Sequence, residues 1–199
     1  MNALLKISLL GLALVSTASM AGNFSGPEAG ASVTMNGGST TTQASGQKEY
    51  IYGGSSLGFR LHGGYGFDID KDTVVLAGFD YNATDLSVGK SDGQSLTIKN
   101  AWSLSAAPGM LLNDKTLAYV KLSYESGKFN SSFTGLKFDQ SVSGFGYGVG
   151  LRTEINKTTF LETEIKQVNY SKFTKKIGST SYDFTTSATV GSVGVVFKF

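Results

Sequence analysis

From Glu28 to Phe199, apolar and polar residues alternate with a period of two, which is the strand period. The clearest run carries Phe145, Tyr147, Val149, Leu151, Thr153 and Ile155 on one face. Gly144, Gly146, Gly148, Gly150, Arg152 and Glu154 lie on the other. Residues 57–69 repeat the pattern, with Leu57, Phe59, Leu61, Tyr65, Phe67 and Ile69 opposite Gly58, Arg60, His62, Gly64, Gly66 and Asp68. Eight such segments are expected, at 28–37, 56–69, 73–84, 95–112, 116–126, 140–155, 159–170 and 186–199. The apolar row of the fourth is read as Leu96, Ile98, Trp102, Leu104, Ala106 and Met110, interrupted by Asn100. The connections alternate in length. Asp70-Lys71-Asp72, Asn113-Asp114-Lys115 and Asn156-Lys157-Thr158 read as tight polar turns. Residues 38–55, 85–94, 127–139 and 171–185 read as long loops rich in Ser, Thr, Gly and Lys.

The apolar rows carry no charge. The opposite rows hold Glu28, Arg60, His62, Asp68, Asp80, Lys99, Lys121, Glu125, Arg152, Glu154, Glu162, Glu164, Lys166 and Lys198. Such strands make either a soluble barrel with its apolar face inside or a membrane barrel with that face outside. Three features select the second. Glycine crowds the polar row, where it saves space in a narrow lumen. The apolar row is too bulky for such a lumen. Aromatic residues also recur towards strand ends (Phe59, Phe67, Phe79, Tyr81, Tyr124, Phe145, Phe160, Phe197 and Phe199), as interfacial girdles do. The expected fold is therefore all-β, an eight-stranded antiparallel up-and-down transmembrane β-barrel.

Composition narrows the rest. Without cysteine there is no disulfide framework and no thiolate metal site. No run of about 18–20 apolar residues is present to form a membrane helix. A net charge of +2 does not suit bulk-charge binding of nucleic acid. Residues 1–21 read as a cleaved secretory signal peptide: Lys6 supplies the positive region, Ile7–Val15 the apolar region, and Ser19 and Ala21 the small residues before the cut. Residues 22–199 form the single barrel domain.

The sequence resembles the eight-stranded outer-membrane barrels of the OmpA, OmpX and opacity-protein type. The resemblance is carried by Ala107–Glu125 (APGMLLNDKTLAYVKLSYE), Tyr147–Ser171 (YGVGLRTEINKTTFLETEIKQVNYS) and the terminal VGVVFKF. It implies that Val195, Phe197 and Phe199 form the C-terminal signal read by the barrel-assembly machinery. It also implies residence in a Gram-negative outer membrane, among lipid and lipopolysaccharide, with both termini periplasmic. No peptidoglycan-binding domain follows the barrel, so cell-wall tethering is not expected.

The chemistry expected of the polar row is structural. Eight strands enclose a space that side chains fill, and unpaired charges there are costly. Expected pairs are Arg152 with Glu154 or Glu162, Arg60 with Glu28 or Asp80, and Lys166 with Glu164 or Glu125. The sole histidine, His62, has no plainly placed serine beside it, so a hydrogen-bonded luminal role is expected rather than a hydrolytic dyad. Glu162 and Glu164 share a luminal row without a carbohydrate cleft. No catalytic residue, metal or cofactor is expected. Lys172, Lys175 and Lys176 near Phe173, and Lys128 and Lys137 beside Phe129, Phe133 and Phe138, are candidates for touching lipopolysaccharide or a host glycan. The function expected is a non-enzymatic surface protein for envelope integrity, with loops free for adhesion or recognition. The alternatives are a narrow passive pore and, last, a lipid A-modifying enzyme.

Overall fold

The computed structural model describes residues 23–133 and 137–199; the expected signal peptide lies outside them. Ten strands follow in order: β1 (Gly26–Ala44), β2 (Glu49–Asp68), β3 (Thr73–Asn82), β4 (Leu86–Ser91), β5 (Gln94–Asn113), β6 (Thr116–Ser131), β7 (Phe138–Asn156), β8 (Thr159–Tyr170), β9 (Phe173–Ile177) and β10 (Thr180–Lys198). Eight of them close a ring in the order β1-β2-β3-β5-β6-β7-β8-β10. β10 pairs back to β1 from Glu28–Lys198 to Ala44–Tyr182, which removes the sheet edge. Every wall pairing is antiparallel.

The three short turns form as the sequence predicts, and by one device. Asp70 Oδ1, Asn113 Oδ1 and Asn156 Oδ1 each accept a hydrogen bond from the backbone N–H two residues on, at 2.9, 2.9 and 3.0 Å. A short Asp or Asn side chain mimics a backbone turn in this way. Beside the first of these turns, hydrogen bonds from the Asp72 backbone and the Thr73 side chain hold the Asp70 carboxyl below its usual range.

The outer surface is apolar around the ring: Val33, Leu57, Leu61, Leu104, Leu122, Val149, Ile165 and Val193 are all exposed. Rings of Phe79, Trp102, Tyr124 and Phe145 run side by side across four neighbouring strands, with centroids 6.0–6.3 Å apart. A closed barrel with this exterior is stable only where lipid surrounds it. The luminal row is tight. A Cβ on Gly148 would sit 2.5 Å from the Ile165 carbonyl oxygen, so glycine there lets neighbouring strands fit round a small lumen. Phe160, expected in the girdle, is turned inward instead and is buried beside Phe24 at the turn end.

The expected long loops are largely strand. β1 and β2 stay paired out to Gln43–Glu49, which turns most of residues 38–55 into a hairpin. β4 lies within 85–94, β6 and β7 run into 127–139, and β9 pairs with β10 inside 171–185. This end is not a simple tube. β2 pairs with β3 only from Arg60 onward, and β7 with β8 only from Gly144 onward. Beyond those levels the wall divides into two four-stranded sheets, β9-β10-β1-β2 and β4-β5-β6-β7. Their inner faces meet over an apolar core that includes Val88, Ile98, Phe129, Val142 and Phe184.

The filled lumen as candidate functional site

The lumen is built in three layers. At the turn end, Phe24, Val74, Leu76, Leu117, Phe160 and Val196 pack as an apolar cap. Above it lies a charged layer. Arg152 donates from Nε to Glu162 at 3.1 Å, and its two terminal nitrogens reach Glu28 and Glu162. Arg60 donates to Glu164 at 2.7 Å, to Ser192 at 2.9 Å and to Ser32 at 3.2 Å, and lies 3.9 Å from both Asp80 and Glu162. Lys121 Nζ sits between Asp80 at 2.9 Å and Glu164 at 3.0 Å. Lys166 donates to Glu125 at 2.7 Å, which also accepts from Ser123 at 2.6 Å.

His62 joins two of these carboxylates. Its Nδ1 lies 2.9 Å from Asp80 and its Nε2 2.9 Å from Glu28. Both nitrogens face acceptors, and only the imidazolium carries two N–H donors, so the geometry is that of the charged ring. The layer then balances: Arg60, His62, Lys121, Arg152 and Lys166 face Glu28, Asp80, Glu125, Glu162 and Glu164. Such a buried set is tolerated because each charge has an opposite charge at hydrogen-bond distance. The void beside His62, Tyr119, Lys121, Arg152 and Glu162 measures about 10 Å³. That is roughly the space one water needs.

Ten of the fourteen residues expected on the polar row occupy this layer; Lys99, Glu154, Asp68 and Lys198 do not. Lys99 faces outward. The β5 ladder shifts register between Lys99 and Trp102, where Asn100 has a φ of 49°. That bulge flips the upper part of β5, so Leu96 and Ile98, expected outside, are buried in the lumen and Lys99 is not. Glu154 sits at the turn-end rim, where it accepts from Asn23 at 2.7 Å rather than pairing with Arg152. Asp68 is exposed, and Lys198 reaches the Asn23 carbonyl at 3.3 Å at the same end. Of the expected pairs, Arg152–Glu162 and Lys166–Glu125 form. Arg60 approaches Asp80 but takes Glu164 as its nearer partner.

Two contributors were not anticipated. Tyr119 lies on the luminal row and donates to Glu164 at 3.2 Å. The alternation that turns Ala118 and Val120 to the outer row is the signal that places it. The second is the apolar layer beyond the charges. Phe129, Phe138, Phe173 and Phe184 form a cluster with centroids 5.0–6.3 Å apart, and Tyr52 meets Phe133 at 4.9 Å. Phe129 and Phe138, read as neighbours of a basic loop, are instead part of this interior.

The basic residues of the loop end are partly engaged. Lys172 pairs with Asp183 at 2.7 Å, and Lys175 lies over the Phe138 ring at 5.5 Å. Lys176 and Lys128 are exposed. Lys128 stands directly opposite Lys99 in the β5–β6 ladder, on the outer face. Val193, Phe197 and Phe199 lie exposed along the outer row of β10, with Val195 half-buried in the same row. Among the described residues, no group of three His, Asp or Glu is placed to hold a metal.

No curated protein matches the chain significantly. Solved structures do. OprG from Pseudomonas aeruginosa superposes with a TM-score of 0.56 at 12% identity, over 89% of this chain and 98% of that one. Ail of Yersinia pestis, solved in complex with the heparin analogue sucrose octasulfate, gives 0.48 at 16% identity over 86% and 99%. Neisserial surface protein A gives 0.46 at 14% over 85% and 97%. The OprG likeness supports the barrel fold. The model of the outer membrane protein β-barrel domain matches residues 7–199, nearly the whole sequence, and the chain belongs to that family.

Proposed function

We propose that this barrel is a non-enzymatic surface protein of the outer membrane. In this reading its lumen is a structural plug, and its exposed hairpins carry recognition. The observation that carries the reading is the three-layer filling, in whose charged layer the void beside His62 and Arg152 measures about 10 Å³. A hydrated ion needs a continuous path, and among the described residues the apolar cap and the apolar outer layer stand across it. The groups read as hydrolytic candidates are engaged: His62 is held at both nitrogens, and Glu162 and Glu164 pair with Arg152, Arg60 and Lys121. The three short turns then face the periplasm, and the divided end faces outward.

The Lys99–Lys128 pair supports contact with lipopolysaccharide. Like charges directly opposite in a ladder repel. These two sit outside, a few residues beyond Trp102 and Tyr124, where anionic head groups relieve the repulsion. The row of Val195, Phe197 and Phe199 suits recognition by the assembly machinery during insertion.

Single-channel recording on the purified, refolded protein tests the plug. A folded barrel, checked by heat-modifiable migration, should be silent. Reproducible unitary steps that change with Arg152→Ala or Glu162→Ala would replace the plug with a narrow pore.

A further inference from the structure

β4 continues along β5 but does not close onto β2. It leaves the end of β3 and tucks beneath the luminal faces of β1 and β2. Asn36 Nδ2 donates to the Ser87 carbonyl at 3.0 Å, and Thr40 Oγ1 to the Val88 carbonyl at 3.0 Å. Ser56 Oγ accepts from the Ser87 N–H at 3.2 Å and approaches the Asp85 carbonyl at 3.3 Å. Glycines clear the space. A Cβ on Gly38 would lie 2.9 Å from Val88 Cγ1, and one on Gly54 would lie 2.8 Å from the Gly89 nitrogen.

This leaves an edge open. Above Phe59, β2 has a ladder partner only on its β1 side. Antiparallel strands turn alternate residues to each side. The Ala83 N–H to Phe59 carbonyl bond marks the odd residues as those facing the open edge. The main-chain groups of Ile51, Gly53, Ser55 and Leu57 therefore face it, and among the described residues only the Ser55 carbonyl is taken there, by Lys90 Nζ at 3.3 Å. β4 also has one ladder partner, β5.

We infer that β4 has two seats, the luminal one seen here and a wall seat zipped onto the open edge of β2. The register is already set. Arg60–Asn82 and Phe59–Ala83 extend directly to Leu57–Asp85, Ser55–Ser87 and Gly53–Gly89. In that register Leu86 and Val88 still face the lumen, while Ser87 and Gly89 face outward beside Ser55 and Gly53. The luminal seat strands one group: the Ser87 hydroxyl is buried with no hydrogen-bond partner among the described residues. The wall seat delivers it to water. Moving β4 exchanges its side-chain latches for a ladder, withdraws a strand of backbone from the outer layer, and opens that layer outward. The charged layer below stays shut. This inference rests on the reading of the lumen as closed, and its test is separate from conductance.

Amide exchange followed by NMR on the refolded protein distinguishes the seats. Gly38→Val fills the place of Val88 and leaves the wall ladder untouched. The N–H groups of Gly53 and Ser55 should then gain protection of at least about tenfold, the mark of a newly formed ladder. Adding Gly53→Pro, which removes a donor the wall seat needs, should abolish the gain at Ser55. If Gly38→Val does not fold, Ser87→Asp serves in its place, because a charge is excluded from the luminal seat and accepted by the wall seat. A barrel whose β6–β7 amides stay protected, but whose Gly53 and Ser55 amides exchange as in the unmodified protein, overturns the inference. Conductance should remain absent in these variants. Unitary steps would count against the plug and not against the second seat.

Discussion

The middle and the outer layer of this barrel share the same chain segments and have opposite insides. In the middle the wall shows Val, Leu and Phe outward and keeps Arg, Lys, Asp and Glu within. Further out, β1, β2 and β10 show Gly37, Ser39, Gly53, Ser55, Ser187 and Thr189 on the outer side, while Phe129, Val142 and Phe184 fill the inside. What lies outside the wall decides. Lipid demands an apolar exterior and leaves the polar groups to satisfy one another in the lumen. Water admits a polar exterior, and two sheets then close over an apolar core as in any sandwich. The polarity of the wall inverts where the lipid ends. On β5 a single extra residue at Asn100 makes the change, sending Leu96 and Ile98 indoors.

If the middle is held by charge pairing, its largest sensitivity is to losing one partner. Arg152→Ala leaves Glu28 with His62 alone and Glu162 with only the 3.9 Å approach of Arg60, both buried, and should destabilise by about 3–5 kcal/mol. The urea midpoint of the refolded barrel reads this directly, and a loss under about 1 kcal/mol would mean that pairing does not hold the middle. Phe129→Ala attacks the other layer. Truncating a fully buried ring should cost about 3–4 kcal/mol and should open the outer sheets first. Amides of the upper parts of β6 and β10 would lose protection while those around Arg152 keep theirs. Simultaneous loss in both places would make the two layers one cooperative unit. On the lipid side, Val149→Arg should cost about 2–4 kcal/mol near the midplane. Normal folding of that variant would mean that the Val149 row faces the lumen and the Arg152 row faces out.

The sequence discloses the middle better than the outer layer, for a physical reason. Between Glu28 and Tyr170 the two faces differ in charge and in glycine content, so alternation alone assigns Arg60, Lys121, Arg152 and Glu164 to one lumen. Which carboxylate Arg60 takes depends on strand tilt and on who sits across the lumen, and neither is written along the strand. In the outer layer the contrast is only between Ser or Thr and a few large apolar side chains. A Ser- and Thr-rich segment reads as loop until its ladder is seen, as residues 38–55 show. β4 is the extreme case. Leu86 and Val88 alternate like a wall strand, yet their backbone is drawn inside by Asn36, Thr40 and Ser56, which lie some 30–50 residues away in sequence. Asn100 carried a local signal, a polar residue in an apolar row, and it marks the bulge.

The smallest expected effect lies at the rim of the outer layer, where an exposed ion pair meets the apolar core it borders. Lys172 Nζ lies 2.7 Å from Asp183, and Thr174 Oγ1 donates to the same carboxylate at 2.6 Å. The hydrogen bond from Lys172, and then that from Thr174, hold the Asp183 carboxyl below its usual value. A carboxyl with a depressed folded value adds stability above its unfolded value and loses it as pH falls through the folded one. Protection of the β9 amides should therefore be flat from neutrality down to about pH 4 and should decline only below that. Asp183→Asn should remove the decline and loosen β9 slightly at neutral pH, with the Phe173–Phe184 stack still holding the hairpin to the core. Exposed pairs contribute little. Loss of the whole outer layer on this substitution would show that the pair, and not the aromatic cluster, fastens β9 to the rest of the barrel.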